Sequence, residues 1–463
     1  MKVPLTSTAL VLIIWLIASP NHSCSARIVV PDDFDLFDYG AVHHNTQTDD
    51  EGFSKEAFPK GWETGATTRD SFNRANAQTE EYDPQAFLEA WEAKTNTFNV
   101  VDYGAVGNGL VDDTKAFLKA WGAMCASPTQ GTLTLVVPQG KRFLLNAVAF
   151  EGPCRASKVN FQIQGSIVAP NNIGAWTNKE MWIQFSNVQG LSVNGGGRID
   201  GNGAVWWKAC GSKGCQRPTA LHFNKCHGFQ LSRLALFNSP KNHISICSCN
   251  GPRVFGLLIS APKDSPNTDG IDISQSTRVT IQSSHIATGD DCIAINSGSS
   301  YIKIRDITCG PGHGISLGQH GEYSQVEEVQ VSNCTFKGTT NGVRIKTWEG
   351  GSGYARKITF EGITFEDTKN PIVIDQHYFA KPTSAMDISK SVQVSDVTYR
   401  NINGTCADEK AITLACAGGG CTNIVMDNVT IKSDLPNKRS YAYCDNAHGT
   451  SSFSVPLVPC LSH

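Results

Sequence analysis

The sequence predicts an all-β fold, a right-handed parallel β-helix whose start is covered by a capping helix. Short runs of β-branched residues recur along the chain, mostly at intervals of twenty to thirty residues, and Gly, Asn and Ser separate them. Each interval contains a second apolar run, with no helical pattern between the two. Charged residues make up only 17% of the chain and Gly is frequent at 43 residues, which favours a β-rich protein over a coiled coil or a disordered chain.

The two sets of runs alternate along the chain from about residue 159 onward. The first set comprises Val279-Thr280-Ile281, Ile302-Lys303-Ile304, Val329-Gln330-Val331, Ile358-Thr359-Phe360, Val397-Thr398-Tyr399 and Ile424-Val425-Met426. The second comprises Gly270-Ile271-Asp272-Ile273, Cys292-Ile293-Ala294-Ile295, Gly314-Ile315-Ser316-Leu317, Gly342-Val343-Arg344-Ile345 and Pro371-Ile372-Val373-Ile374. A leucine-rich repeat would show a Leu/Asn signature, and a propeller needs about twice this repeat length. A β-sandwich, the other alternative, does not predict repetition in register.

The segment 98–124 is predicted to form a strand followed by the capping helix. Asp113 is placed to cap this helix, and Phe117, Trp121 and Met124 fall on one helical face. A helix with one apolar face at the start of a repeat array can cover the otherwise exposed end of the core.

The sequence patterns divide the chain into three regions. Residues 1–26 are predicted to be a signal peptide, because Lys2 precedes an apolar stretch that is too short for a membrane span. Residues 27–96 form an extension that partly duplicates the segment 98–124 and contains a polar insert, so we expect it to be poorly ordered. It is a pro-region, a disordered arm or an error in the gene model, and the sequence does not choose between these. Residues 97–463 are assigned to the β-helix domain.

The cysteine content indicates an oxidising compartment. Sixteen Cys are too many for a reducing compartment unless they bind metal, and the paired spacing of zinc ribbons is missing. Plausible local disulfides are Cys292–Cys309, Cys416–Cys421 and Cys444–Cys460, and the odd number left after removal of Cys24 suggests one free thiol. Acceptor sequences for N-glycosylation begin at Asn21, Asn333, Asn403 and Asn428.

The net charge of the chain limits the kinds of partner that it can bind. The formal net charge of -3, without a basic stripe, argues against nucleic-acid binding. We expect an exported monomer that has no membrane association once the signal is removed.

The register of the second runs predicts where chemistry lies. Alternation along a strand points Ile271 and Ile273, and their counterparts in later runs, into the core. Residues just before the runs, and those alternating with the apolar ones, then form columns on the outer face of the stacked coils. These columns bring together Asp269, Asp290, Asp291, His313, Arg344 and Lys346.

Such a cluster suits glycoside hydrolysis. Like charges raise the pKa of at least one carboxyl group, which leaves an acid beside an ionised base. One carboxyl group can then protonate the leaving oxygen while another activates water. Each part also has a structural explanation: Asp269 as a turn residue, Asp290 and Asp291 as a turn or calcium ligands, His313 in a tight turn. Arg344 and Lys346 taken alone would be a solvated strand face, but chance does not explain matched positions in successive coils.

The motifs resemble those of polygalacturonases, particularly the plant enzymes, over about residues 97–463. The resemblance rests on Ser265-Pro266-Asn267-Thr268-Asp269-Gly270, Gly289-Asp290-Asp291-Cys292, Gly312-His313-Gly314-Ile315-Ser316 and Arg344-Ile345-Lys346-Thr347, in this order. Two departures are His377 and Phe379 around Tyr378, where plant relatives have Asn-Tyr-Cys, and Cys406 in place of Ser.

The resemblance implies a role for each catalytic position. Asp290 would be the general acid that protonates the glycosidic oxygen. Asp269 and Asp291 would hold and deprotonate the attacking water, which inverts the anomeric carbon. His313 would tune the protonation of the acid.

The resemblance also implies a substrate and its binding residues. Arg344 and Lys346 would bind a galacturonate carboxylate, and Asn267 and Tyr378 match further positions near the cleaved bond. The expected activity is hydrolysis of α-1,4-galacturonosyl bonds of pectin (homogalacturonan) in the plant cell wall, outside the cell, without metal or other cofactor. The alternatives are a calcium-dependent pectate lyase, a catalytically inactive pectin-binding β-helix and a related hydrolase acting on rhamnogalacturonan, although the Arg344/Lys346 pair suits galacturonate better. The motifs do not decide between endo and exo attack.

Overall fold

The structure of the chain is a computed structural model that describes residues 96–210, 215–318, 324–347, 350–378 and 391–462. The predicted signal peptide and nearly all of the predicted extension lie outside these residues, so both stay predictions. Within the described ranges, no helix has the length and apolar character needed to cross a membrane.

The described residues form short strands joined by tight turns, with two α-helices, α1 (Thr114–Ala126) and α2 (Ala204–Cys210). Single 3₁₀ turns lie at Val100–Tyr103 and Ile173–Ala175. The strands are β1 (Thr97–Asn99), β2 (Asn108–Asp112), β3 (Thr132–Val137), β4 (Arg142–Leu144), β5 (Val148–Glu151), β6 (Lys158–Ile163), β7 (Ser166–Val168), β8 (Met181–Ser186), β9 (Leu191–Asn194), β10 (Arg198–Asp200), β11 (Thr219–Asn224), β12 (Gln230–Ser232), β13 (Ala235–Phe237), β14 (Ile244–Cys247), β15 (Arg253–Phe255), β16 (Leu258–Ser260), β17 (Ile271–Ser274), β18 (Thr280–Ala287), β19 (Ile293–Ile295), β20 (Ser299–Cys309), β21 (Ile315–Gly318), β22 (Ser324–Ser332), β23 (Thr335–Lys337), β24 (Asn341–Lys346), β25 (Gly353–Glu361), β26 (Thr364–Thr368), β27 (Asn370–Asp375), β28 (Gln393–Cys406), β29 (Lys410–Ala415), β30 (Cys421–Ser433), β31 (Tyr441–Asp445) and β32 (Ala447–Ser452).

The coils of the chain contribute their strands to two parallel sheets. Eleven strands form one sheet, in the order β5, β8, β11, β14, β17, β19, β21, β24, β27, β29 and β31, so that each coil contributes one strand. The remaining strands form a 21-stranded sheet, in which the strands of each coil pair with those of the next coil along the chain. The pairs β17–β19, β19–β21 and β21–β24 are parallel and in continuous register. The predicted parallel β-helix is confirmed.

The core of the helix is a stack of equivalent side chains. One column of the eleven-stranded sheet runs through buried Phe150, Phe185, Phe223, Ile246, Ile273, Ile295, Leu317, Ile345, Ile374 and Leu414. The aromatic members stack, with ring centroids 5.2 Å apart for Phe150 and Phe185 and 5.5 Å for Phe185 and Phe223. Their alternate neighbours point outward, as predicted, because side chains alternate across a strand.

The predicted capping helix is α1, which packs against β1, β3 and β5 with Phe117, Trp121 and Met124 buried. The prediction for Asp113 is wrong in detail: it stands at the N-cap position, but its carboxylate makes no capping bond. It accepts instead from the amides of Val106 and Gly107, at 2.7 and 3.1 Å. At the start of the helix, the backbone amide of Thr114 donates instead to Asp112 Oδ1, at 3.0 Å.

The three predicted disulfides, Cys292–Cys309, Cys416–Cys421 and Cys444–Cys460, are present. Cys125–Cys154 and Cys210–Cys215 add two more. The expectation of one free thiol is wrong, since four described cysteines are buried thiols: Cys226, Cys249, Cys334 and Cys406. Each donates to a backbone carbonyl inside the coils; Cys406, which replaces the usual Ser, bonds the Asp408 carbonyl at 2.8 Å.

Candidate active site

Strand register places the predicted catalytic residues together. Asp269, Asp291 and His313 each lie two residues before a core isoleucine of β17, β19 and β21, and these three isoleucines pair in successive coils. The ladder continues into the turns, where Gly270 N donates to the Asp291 carbonyl at 2.9 Å. Asp269, Asp291 and His313 therefore occupy equivalent positions of three coils, and Asp290 lies one residue to the side.

Asp290 is held at both oxygens. Its Oδ1 is 3.0 Å from His313 Nδ1 and accepts from Asp291 N at 2.8 Å. Its Oδ2 accepts from Asn267 Nδ2 at 3.3 Å. The backbone amide of His313 also donates to the Asp290 carbonyl at 2.8 Å. These bonds leave the Asp290 carboxyl group a single orientation.

Asp291 is the most completely neutralised carboxylate of the site, and only 1% of it is exposed. Ser316 Oγ and Arg344 Nη2 donate to its Oδ1 at 2.8 and 2.9 Å, and Lys346 Nζ bonds its Oδ2 at 2.9 Å. Arg344 Nε also donates to Ser316 at 3.0 Å. The Tyr378 ring centroid lies 5.5 Å from both cationic groups. The structure thus brings together all eight residues predicted for the site.

The pKa values of the carboxyl groups diverge, as predicted for a cluster of like charges. Burial, and then the charges of Asp290, Asp272 and Asp291, raise the pKa of Asp269 well above its ordinary value. Burial also raises the pKa of Asp272 to about 7. Burial would raise the pKa of Asp290 as well, but the hydrogen bond and charge of His313, the charge of Lys346 and the Asp291 amide together lower it. The same bond raises the pKa of His313.

This distribution differs from what the resemblance implies, because it favours a proton on Asp269 and not on Asp290. The physical reason is the partner: Asp290 faces an imidazolium within hydrogen-bond distance, whereas Asp269 is buried beside three other carboxyl groups. His313 Nδ1 lies 3.0 Å from Asp290 Oδ1, so a proton held by either group can pass to the other. The role of Asp290 as general acid stays a prediction.

The sequence reasoning missed two charged residues at the site. Asp272 lies on β17, and its Oδ2 accepts from the Asn242 side chain. Its position between two inward isoleucines already indicated an outward side chain, so strand alternation could have identified it. Arg217 precedes β11 and donates to Asn267 Oδ1 at 2.6 Å. The runs named for the prediction start at Gly270, after this coil, so none of them pointed to Arg217.

The site also contains a group that by spacing alone could bind a metal ion. Ligand atoms of Asp290, Asp291 and His313 all lie within 4.8 Å of one another. The donor set does not suit a cation, because both oxygens of Asp291 already accept from the cationic Arg344 and Lys346. A metal bound there would have to displace two ion pairs at a buried carboxylate.

Comparisons with known proteins show the family of the chain. The model of Glycosyl hydrolases family 28 matches residues 125–454. A probable polygalacturonase of Arabidopsis thaliana is 46% identical over 384 residues, which cover 81% of this chain and 82% of that protein. A polygalacturonase of Malus domestica is 44% identical over 352 residues, covering 74% and 75%.

Solved structures show the same fold. An endo-xylogalacturonan hydrolase from Aspergillus tubingensis aligns with a TM-score of 0.66 at 24% identity, covering 77% of this chain and all of that one. A polygalacturonase from Erwinia carotovora aligns with a TM-score of 0.62 at 25% identity, covering 76% and 96%. The chain belongs to glycosyl hydrolases family 28 and is a glycoside hydrolase. The resemblance to plant polygalacturonases is confirmed.

Proposed function

We propose that the chain is a secreted polygalacturonase that hydrolyses α-1,4-galacturonosyl bonds of homogalacturonan with inversion, in the plant cell wall. The observation that carries the proposal is the juxtaposition of an acidic cluster with Arg344 and Lys346 on the outer face of the eleven-stranded sheet. Cleavage of an acidic sugar polymer requires both proton transfer and a cationic subsite, and Arg offers a planar fork for a carboxylate. Relatives named polygalacturonase support the same substrate.

In this proposal water attacks the anomeric carbon while the bond from that carbon to the leaving oxygen breaks. The leaving oxygen takes the proton shared by Asp290 and His313. The water gives its proton to the carboxyl pair of Asp269 and Asp291, which occupy equivalent positions of neighbouring coils. A galacturonate carboxylate that binds Arg344 and Lys346 competes for the charge that now neutralises Asp291, and so makes that carboxylate a stronger base.

Inversion is supported by the contacts of Asp291. Both of its oxygens are engaged by Ser316, Arg344 and Lys346, which leaves it poorly placed to attack carbon directly. The separation of the carboxyl groups does not support inversion: Asp290 and Asp291 lie within 4.8 Å, closer than the roughly 6.5–9.5 Å of most inverting pairs. Proton NMR of the first-formed product distinguishes the two anomers directly.

The first prediction concerns Asp290. Asp290→Asn keeps the shape and removes the acid, so we expect reducing-end release from polygalacturonate to fall by about 10²–10⁴-fold. Asp306→Asn is the matched control, because Asp306 forms a surface ion pair with Arg305. Undiminished turnover by Asp290→Asn would refute the assignment.

The same assay separates the alternatives. A pectate lyase would release an unsaturated, ultraviolet-absorbing product and lose activity with a calcium chelator. An inactive binding protein would bind polygalacturonate tightly and release no reducing ends. Hydrolysis of defined oligogalacturonides also reports whether attack is endo or exo.

Export is part of the proposal. It is supported by the signal-like segment 1–26, by five disulfides among the described residues, and by exposed acceptor asparagines at 333, 403 and 428. We expect expression of the full chain in plant cells to yield a glycosidase-sensitive glycoprotein in the medium or wall fraction, lacking residues 1–26. An intracellular chain that retains its first residues would contradict export.

A further inference from the structure

Arg217 is a buried cation at the edge of the site that none of the recognised motifs contains. Only 8% of it is exposed. Its Nη1 donates to the carbonyls of Pro240 and Pro266, at 3.1 and 2.6 Å, and its Nη2 donates to Asn267 Oδ1 at 2.6 Å. One guanidinium therefore ties together the chain segments that lead into β11, β14 and β17.

These contacts follow from the coil register. Arg217, Pro240 and Asn267 each stand four residues before one of the mutually paired core residues of β11, β14 and β17. They are equivalent positions of three stacked coils, about 4.8 Å apart from one coil to the next. A long side chain at the first position can span the second and reach the third, as Arg217 does.

The contact to Asn267 fixes the direction of its amide. A guanidinium has donors and no acceptor, so Asn267 must turn Oδ1 toward Arg217. Nδ2 is then directed to Asp290 Oδ2, at 3.3 Å. If the amide were reversed, its oxygen would face the carboxylate and two acceptors would be opposed. Arg217 also bonds the carbonyl of the preceding Pro266, which holds the backbone of this turn.

We propose that Arg217 is a positioning residue: by orienting the Asn267 amide, it holds the Asp290 carboxyl group in the geometry required for proton donation. The expected effect on kcat rests on the proposed function, whereas the expected effect on the geometry around Asp290 does not. His313 contacts Asp290 Oδ1, and the other charged groups around Asp290 are Lys346, Asp269, Asp272, Asp291 and Arg217. Asn267 is the partner at Oδ2 through which Arg217 acts.

A double-mutant cycle tests the route of this effect. We expect Arg217→Met to lower kcat by about 10²-fold with little change in KM, as for a misplaced catalytic group. In an Asn267→Ala background there is no amide to orient, so adding Arg217→Met should cost little more. Equal losses from Arg217→Met in both backgrounds would overturn the proposal. Arg356→Met, at a surface ion pair with Glu327, is the matched control for activity and folding.

Arg217→Lys separates geometry from charge and serves as the second variant if Arg217→Met folds poorly. Lysine keeps the positive charge but has one nitrogen in place of the planar fork. We expect it to recover thermal stability but not kcat. Full recovery of kcat by lysine would show that only the charge matters, and would overturn the proposal.

A measurement without substrate keeps the inference separate from the proposed function. In histidine-selective ¹⁵N spectra, assigned with a His313→Gln variant, we expect the His313 titration to move to higher pH in Arg217→Lys and in Asn267→Ala. Asn267→Ala removes the donor to Asp290 Oδ2, and Arg217→Lys removes the guanidinium contact that holds this donor in place. An unchanged His313 titration in Arg217→Lys would refute the positioning role, even if wild-type protein proved inactive on polygalacturonate.

Discussion

The aspartates of the site differ in environment more than in position. Asp269 and Asp291 occupy equivalent places in neighbouring coils, yet Asp291 binds two cations while Asp269 is buried among carboxyl groups. Asp290, one residue away, is paired with His313. The pKa is therefore raised for Asp269 and lowered for Asp290, and such a divergence between identical side chains is the condition for acid and base chemistry at one pH.

Lys346 is a cation that interacts with four aspartates of the site. It bonds Asp291 and lowers the pKa of Asp269, Asp272 and Asp290. We expect Lys346→Gln to lower kcat/KM and to move the rising, acid limb of its pH profile to higher pH, because carboxyl groups that lose a cation ionise later. Profiles measured from pH 3 to 7 check this, with Lys357→Gln at a surface ion pair as control.

An unshifted profile combined with a raised KM would contradict this expectation and would leave Lys346 with substrate binding alone. The folded state should also lose stability, since Asp291 is only 1% exposed and keeps one cation, Arg344. Breaking a buried ion pair costs about 3–5 kcal/mol. The remaining pair and the 14% exposure of the Lys346 side chain reduce that cost.

At the scale of the strand, alternation was the information that the sequence carried best. Apolar residues at every second position of β17, β19, β21 and β24 predicted the inward faces, and thereby the outward position of Arg344. The same rule reaches Lys346 at the end of β24. The register of a strand that is buried on one face can be predicted from its side chains, because a slip by one residue would expose all of its apolar side chains.

The turns between strands carried less information. Asp113 was predicted to cap α1, but its carboxylate bonds two amides six and seven residues earlier, in the loop that precedes the helix. Helix α2 was not predicted, and neither were the individual strands β3, β4 and β5 that follow α1. Arg217 acts over 50 residues of sequence to reach Asn267, and only knowledge of which coils are stacked reveals it.

At the scale of the molecule, the β-helix is a row of nearest-neighbour contacts in which each coil stabilises the next. The core column changes from phenylalanine near α1 to isoleucine and leucine farther along. The outer face of the same sheet carries two fully or nearly fully buried histidines, His222 and His243. Burial lowers the pKa of each to about 4, so both are neutral in the folded chain near neutral pH.

The sign of the resulting pH dependence follows from these shifts. A histidine whose pKa falls from 6.5 in the unfolded chain to about 4 in the folded one stabilises the fold fully above pH 6.5. That contribution is lost as the pH falls from 6.5 to about 4, and amounts to about 3 kcal/mol per histidine. Asp269 and Asp272 act in the opposite direction, because their raised pKa values favour the folded state as the pH falls.

A comparison of variants isolates the histidine contribution from that of the carboxyl groups. We expect the free energy of unfolding of His222→Gln to rise relative to that of wild type as the pH falls from 7 to 4.5, because only in wild type does protonation of the ring at position 222 stabilise the unfolded chain. Urea unfolding at several pH values measures this difference, and His448→Gln at an exposed position is the control. A pH-independent difference between His222→Gln and wild type would show that His222 is not held neutral in the fold.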